Sequence, residues 1–378
     1  MDALTTPLPK DWEVKTFRDI STINQGLQIP ISQRLKAPTE HAKFYITIQA
    51  LNNRKEFEYI KTYNESVVCH KDDILMTRTG NTGMVITNIE GVFHNNFFKI
   101  NFDRTLINKD FLIYFLSLEQ TQKTILRKAG TSTIPDLNHN DFYSLLIPLP
   151  PLNEQIAIAN ILSNLDHYLY SLDSLILKKE SVKKALSFEL LSQRKRLKGF
   201  NQNWQKVRLG DICEITTGSL DANEMVHYGK YRFYTCAKEY YFIDKYAFDT
   251  EAILISGNGA YVGYVHYYKG KFNAYQRTYV LDNFSEHIIF VKYFLTMFLQ
   301  SHIQTNRNEG NTPYIVMATL KDFEILLPSL DEQIAIANIL SALDHEIISL
   351  KNKKRQFENI KKALNHDLMS AKIRVLKK

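Results

Sequence analysis

Cysteine is scarce in this chain: Cys69, Cys213 and Cys236 are the three among 378 residues. No Cys-x-x-Cys pair occurs and no histidine stands at ligand spacing. Reduced thiols are therefore expected, and neither a disulfide framework nor a metal centre. Long apolar runs are missing too; none approaches the ~18 residues that a membrane-spanning helix requires. The opening residues, Met-Asp-Ala-Leu-Thr-Thr-Pro-Leu-Pro-Lys, hold no basic stretch followed by an apolar one, so no secretory leader is visible. A cytoplasmic protein that contacts no membrane is the expectation.

A strong excess of one charge is also absent. The net charge is +7 and the pI near 9.0, which permits a polyanionic partner without demanding one. Disorder is excluded, because 44% of the residues are hydrophobic and 12% aromatic. A chain this long exceeds one ordinary core, and two to four domains are expected.

Repetition is what the sequence has in plenty. The decapeptide Glu-Gln-Ile-Ala-Ile-Ala-Asn-Ile-Leu-Ser runs from Glu154 to Ser163 and again, unchanged, from Glu332 to Ser341. Chance does not produce such an identity, so the chain is built from two related halves. The echo extends further. Trp12, Asp19-Ile20 and Gly26 return at the same spacing as Trp204, Asp211-Ile212 and Gly218, and Val182-Lys-Lys-Ala-Leu returns as Ile360-Lys-Lys-Ala-Leu.

Between the repeated segments lie two divergent modules, which read as α+β. Phe97–Phe102, Tyr231–Cys236 and Thr278–Phe284 are aromatic or β-branched runs bounded by Gly, Asn and Asp, the signature of strands. Lys109–Leu126 and His287–Gln304 carry aromatic core faces at helical spacing. The repeated segments are long helices, with Asn153 or Asp331 at the cap and no Pro or Gly until Gly199 or the end of the chain. Leu165, Leu172, Lys179 and Leu186 stand seven apart, as do Leu343, Leu350, Phe357 and Leu364. This is the coiled-coil period, and the two helices are expected to pair with each other, antiparallel, about a pseudo-twofold.

No catalytic site is legible. There is no Gly-x-x-x-x-Gly-Lys-Ser/Thr phosphate loop and no glycine-rich loop for S-adenosylmethionine. Asn311-Thr-Pro-Tyr314 departs from the Asn-Pro-Pro-Tyr of amino-methyltransferases at Thr312, and Asp72-Asp-Ile-Leu lacks the Glu-x-Lys partner of a nuclease. No catalytic residue, cofactor or metal is expected. The chain binds.

The alternation of variable module and shared helix, the phrases Ile147-Pro-Leu-Pro-Pro-Leu-Asn-Glu-Gln and Ile325-Leu-Leu-Pro-Ser-Leu-Asp-Glu-Gln, and the two Trp…Asp-Ile…Gly openings resemble the specificity subunit of a type I restriction–modification system. The resemblance covers essentially the whole chain. It implies target recognition domains at residues 1–150 and 201–328, each reading half of a bipartite, asymmetric sequence in double-stranded DNA. It implies spacer helices at 151–200 and 329–378 that set the gap, two docked methyltransferase subunits, and restriction subunits joining that core. Two other readings stand beside it: the specificity subunit of a type IIB-like fused system, and a coiled-coil adaptor without a DNA function.

Base reading needs polar side chains projected from loops, and phosphate binding needs cations and amides. In the first half the candidates are Arg78, Thr79, Asn81 and Thr82 between two glycines, and Lys128, Thr131 and Ser132. In the second half they are Asn258, Tyr261, Gln276, Arg277, Asn306, Arg307, Asn311 and Thr312. The near-identity of the repeated helices exceeds what packing needs and implies one surface shown twice to copies of one partner. The partner-binding candidates are Glu154, Gln155, Ile158, Asn160 and Ile161, and their repeats Glu332, Gln333, Ile336, Asn338 and Ile339.

Overall fold

The computed structural model describes residues 8–52, 57–305 and 313–376. The chain forms two compact units, residues 1–172 with 353–378 and residues 173–352.

Unit one carries two four-stranded sheets. One has the order Ser21–Gln25, Phe97–Phe102, Ile74–Thr77, Val85–Ile86; the other is Tyr59–Ile60, Lys43–Ile46, Gly91–Phe93, Val68–Cys69. The apolar residues of these strands fall into two clusters, one around Phe17, Phe98, Phe111 and Phe142 and one around Tyr45, Phe93 and Phe97. The helical run expected from Lys109 is broken: Lys109–Leu116 and Glu119–Ala129 are separate helices.

Unit two carries one six-stranded sheet in the order Glu214–Thr217, Thr278–Asp282, Phe248–Ser256, Val265–Ala274, Tyr231–Tyr234, Tyr241–Ile243. Its main core lies between that sheet and the unbroken helix Ile288–Thr305, around Ile253, Leu281, Phe290 and Phe294.

The units share a construction that the echoed residues explain. Each closes on itself by pairing its first strand with the strand that precedes a long helix. Glu13–Thr16 runs antiparallel to Leu146–Leu149, and Gln205–Arg208 to Glu324–Leu327. At Gly26 an added Cβ would stand 2.2 Å from Phe93 O, and at Gly218 it would stand 1.8 Å from Ala274 O. Main chain meets main chain at both points, so only glycine fits.

The long helices are Leu152–Leu191 and Leu330–Met369, 40 residues each. The first begins one residue before the expected cap. The amides of Glu154 and Gln155 donate to Pro151 O at 2.9 and 3.0 Å, while Asn153 Oδ1 accepts only from the adjacent Glu154 N–H. In unit one the start of the first helix packs antiparallel against the end of the second. Glu154 meets Arg374 at 2.7 Å, Asp166 meets Lys361, and the Tyr168 and Phe357 rings lie 4.7 Å apart. In unit two the end of the first helix packs antiparallel against the start of the second, with Lys179–Glu346 at 2.8 Å, Lys183–Asp344, and Arg196–Glu332 at 2.7 Å. The segments 151–200 and 329–378 thus contribute to both units.

Candidate nucleic-acid interface and the repeated helix face

The repeated Glu-Gln pair points inward. Glu154 is 1% exposed, accepting from Trp12 Nε1 at 3.1 Å and from Arg374. Its repeat Glu332, also 1% exposed, accepts from Trp204 Nε1 at 3.2 Å and from Arg196. Gln155 accepts from the Asn108 amide at 2.9 Å and donates to Leu106 O and Pro150 O; Gln333 accepts from the His287 amide at 3.0 Å and donates to Pro328 O and Glu286. Each pair staples a long helix to its own variable module, and burial without such partners would be costly. Ile158 and Ile336 are buried in the cores beneath. Six partner-binding candidates are therefore corrected. Glu154, Gln155, Ile158, Glu332, Gln333 and Ile336 are sequestered by their own unit and cannot meet a partner.

The outward face is a different set, and it too is duplicated. Ile156 and Ile334 are 41% and 37% exposed. Asn160 and Asn338 are exposed one turn on, followed by His167 and His345, with Ile161 and Ile339 half-buried beside them. Ile156 was missed by the sequence reading. Helical phase relative to the buried Glu-Gln pair finds it, since positions one and five residues after Gln155 lie away from the core.

A second duplicated network fixes the helix pair to each module. Tyr114 donates to Asp166 Oδ2 at 2.7 Å in unit one, with Lys361 on the same carboxylate; Tyr293 donates to Asp344 Oδ2 at 2.6 Å in unit two, with Lys183 likewise. Burial alone would raise Asp344, but the hydrogen bonds from Lys183 and Tyr293 outweigh it and hold the carboxyl below its usual range. Both phenols are raised by burial and the adjacent carboxylate, so they stay protonated donors at neutral pH.

The loops that carry the DNA candidates are built to one plan. In unit one the amide of Gly83 donates to Thr77 O at 2.8 Å, that of Thr77 to Met84 O at 3.0 Å, and that of Leu137 to Arg78 O at 2.9 Å. In unit two Gly263 donates to Ser256 O at 2.7 Å, Ser256 to Tyr264 O at 3.0 Å, and Ile315 to Gly257 O at 2.9 Å. Gln122 Nε2 and Gln300 Nε2 brace the two loops, donating to Gly83 O and Val262 O, each at 2.7 Å. Gly83 and Gly263 take φ of +91° and +78°, the left-handed region open to glycine.

In unit one this plan joins the two candidate loops. The Arg78 guanidinium meets Asp136 at 2.6 Å and lies 5.5 Å from the Phe98 ring centre, and Thr79 Oγ1 donates to the other oxygen of Asp136. Asn81, Thr131 and Ser132 are exposed around this pair. Two candidates are turned away from such work. Thr82 is 6% exposed, its hydroxyl donating to Pro135 O at 2.7 Å, and Lys128 ends a helix with its ammonium on Ser144 Oγ at 2.8 Å. Asp136 was missed by the sequence reading; an acid facing an expected reading loop gives no signal until the fold brings Arg78 to it.

In unit two Asn258 bridges to Tyr314, and Gly257 N–H donates to Arg277 O at 2.8 Å, which sets Gln276 and Arg277, both exposed, beside the loop. Gln276 Nε2 reaches Asp221 Oδ1 at 3.1 Å. Tyr261 is 43% exposed with the Lys238 ammonium 5.0 Å over its ring. Asn306, Arg307, Asn311 and Thr312 lie outside the described residues. The tyrosine-rich segment Tyr240-Tyr-Phe242 was also missed. It lies exposed along the Tyr241–Ile243 edge strand, with Arg232 4.2 Å from the Tyr240 ring, and its run of aromatics was the available signal.

Among the described residues no group of three or more His, Cys, Asp or Glu is placed to hold a metal ion, and no helix is long and apolar enough to cross a membrane.

A family model described as the type I restriction modification DNA specificity domain matches residues 9–179 and again residues 201–359. Over 171 residues the chain is 38% identical to the specificity subunit of the type I restriction enzyme EcoDI of Escherichia coli, a match covering 44% of this chain and 37% of that protein. It is 25% identical over 414 aligned positions to the MjaVIII specificity subunit of Methanocaldococcus jannaschii, covering 97% and 94%. Of solved structures, the type I S subunit from M. genitalium aligns with a TM-score of 0.64 at 19% identity, covering 96% of this chain and 98% of that one. The HsdS subunit from Thermoanaerobacter tengcongensis aligns with a TM-score of 0.52 at 18% identity, covering 99% and 100%.

Proposed function

Because the chain belongs to the type I restriction modification DNA specificity family, we propose that it is the sequence-reading subunit of such a system and itself catalyses nothing. Each unit reads one half of a bipartite, asymmetric DNA target, and the paired long helices set the gap between the halves. One observation carries this reading. Two modules hold their loops by the same main-chain bonds, yet place Arg78 and Thr79 on one loop and Gly257 and Asn258 at the matching positions of the other. Constant scaffold with exchanged loop chemistry is what two readers of different sequences require.

The duplicated outward face, Ile156 with Asn160 and Ile334 with Asn338, supports docking of two methyltransferase subunits, one on each copy. Restriction subunits join through that core.

The test is to co-express the chain with its methyltransferase subunit in a host that lacks other adenine methylation, and to map N6-methyladenine by long-read sequencing. One motif of two short blocks around a fixed gap supports the reading. A stable complex that methylates no bipartite motif overturns it in favour of an adaptor. A single fused partner carrying both methylase and nuclease would place the chain in a type IIB-like system.

A further inference from the structure

Both units carry one main-chain joint at the foot of the reading loop, and they supply its arginine from opposite strands. In unit one Ile74–Thr77 ends beside the start of Phe97–Phe102, and the Arg78 amide donates to Asn96 O at 2.7 Å. In unit two Phe248–Ser256 ends beside the start of Thr278–Asp282, and the Gly257 amide donates to Arg277 O at 2.8 Å. Strand register fixes the match, since Thr77 pairs with Phe97 as Ser256 pairs with Thr278. The echoed glycines agree: the Gly26 amide donates to Phe97 O at 3.2 Å, and that of Gly218 to Thr278 O at 3.2 Å. Gly257 therefore answers to Arg78, and Arg277 to Asn96.

Close packing explains the exchange. An added Cβ at Gly257 would stand 2.3 Å from Arg277 O and 2.9 Å from Tyr279 Cε2, so no side chain fits where unit one has its arginine. Tyr279, whose hydroxyl donates to Ile315 O at 2.9 Å, holds the strand position of Phe98, the ring that backs Arg78. The anion is exchanged as well. The bridge of Thr79 to Asp136 recurs as that of Asn258 to Tyr314, so a tyrosine replaces the aspartate that clamps Arg78. Arg277 is exposed, and among the described residues its side chain forms no ion pair or hydrogen bond.

We propose that Arg277 binds a phosphate of the DNA backbone and reads no base, an assignment that rests on the DNA reading above. A base edge is recognised by a donor fork held at a fixed angle, and unit one fixes its guanidinium with Asp136. That clamp also cancels the charge of Arg78. A phosphate instead takes net charge and tolerates many angles of approach. Arg277 keeps its full charge and a free side chain; Arg78 keeps neither. At one matched place the two readers thus hold DNA differently, unit one by an oriented pair without net charge and unit two by a cation.

The test uses the complex of the full chain with its methyltransferase subunits and a duplex carrying the mapped motif. Fluorescence anisotropy follows binding from about 50 to 200 mM salt, where each phosphate contact adds about 0.9 to the slope of log affinity against log salt. Arg277→Ala should lower that slope by about one, weaken every duplex alike and leave the methylation motif unchanged. Arg277→Lys, a point charge without the fork, should restore the slope. Thermal unfolding of both variants should match that of the native complex. An unchanged slope in Arg277→Ala overturns the proposal. So does a motif relaxed at one base pair of one block, or a slope that lysine fails to restore. If the native complex itself binds without salt dependence or methylates no bipartite motif, the DNA reading falls and this assignment with it.

Discussion

The indole N–H of Trp12 donates to the buried carboxylate of Glu154 at 3.1 Å, a contact spanning 142 residues of sequence. Trp204 and Glu332 repeat it at 3.2 Å in the other unit. Both tryptophans stand at the entrance of a variable module and both glutamates in the first turn of a long helix, so the bond ties module to helix twice.

Trp12→Phe keeps an aromatic ring but deletes one donor to a buried charge together with the volume of the indole's second ring. The lost hydrogen bond alone should cost about 2 kcal/mol, the lost volume adds to it, and Trp204→Phe should do the same in unit two. Hydrogen exchange separates the two: added exchange should be confined to the unit carrying the substitution. Uniform loosening in both variants would show that the tie is not local.

Much of this architecture was legible in sequence because its signals are periodic or repeated. Two halves, α+β modules and long antiparallel helices follow from the duplicated decapeptide and from seven-residue spacing, both properties of neighbouring residues. The direction of the repeated Glu-Gln pair was not legible. A carboxylate and an amide beside exposed Asn153 read as surface, and they become interior only because Trp12, Arg374 and the Asn108 amide arrive from 47 to 220 positions away. Of the ten residues expected on one partner face, six turn inward, while Asn160, Ile161, Asn338 and Ile339 stay on the outward side. The inward six are held by a hydrogen-bond network that each unit builds from its own donors. Thr82 fails for a related reason. Its hydroxyl is a turn-builder on Pro135 O, and a turn threonine looks the same in sequence whether it faces out or in.

Arg78 is held by Asp136 at 2.6 Å and backed by the Phe98 ring, so its orientation is set before DNA arrives. A buttressed guanidinium of this kind suits the O6 and N7 of guanine. Arg78→Ala should relax the methylation motif at one base pair of one block, losing about 1–3 kcal/mol of discrimination there, and leave the other block intact. Asp136→Ala should act at the same base pair. Sequencing of N6-methyladenine reads both outcomes, and a motif unchanged in both variants would remove Arg78 from base reading.

Asp344 gives a prediction with a definite sign. Its folded pKa lies below the ordinary carboxylate value of about 3.9. The stability that it contributes through Lys183 and Tyr293 is therefore complete above that value and is lost as pH falls through the lowered folded pKa. Asp344→Asn should destabilise unit two by a constant amount near neutral pH, and the gap to the native chain should shrink below about pH 4. Denaturant unfolding at a series of pH values measures it. A gap that widens on acidification would mean that the carboxyl is not held in its charged form by these partners.

The duplicated outward face makes the sharpest claim about assembly. Ile156 and Ile334 are two-fifths exposed, lie one residue past the buried Glu-Gln pair and touch neither module's core. Aspartate at either position should leave folding nearly unchanged, since surface substitutions away from special features stay within about 0.5 kcal/mol. Against a flat apolar partner surface the same charge must be desolvated without a counter-ion, which is costly. Ile156→Asp and Ile334→Asp should each remove one methyltransferase subunit from the complex, and the double variant both, as counted by native mass spectrometry. If the single variants instead lost both subunits, docking would be one cooperative event. If the double variant kept both, the partner would sit elsewhere, and the repeat would serve only the internal staples of Glu154 and Glu332.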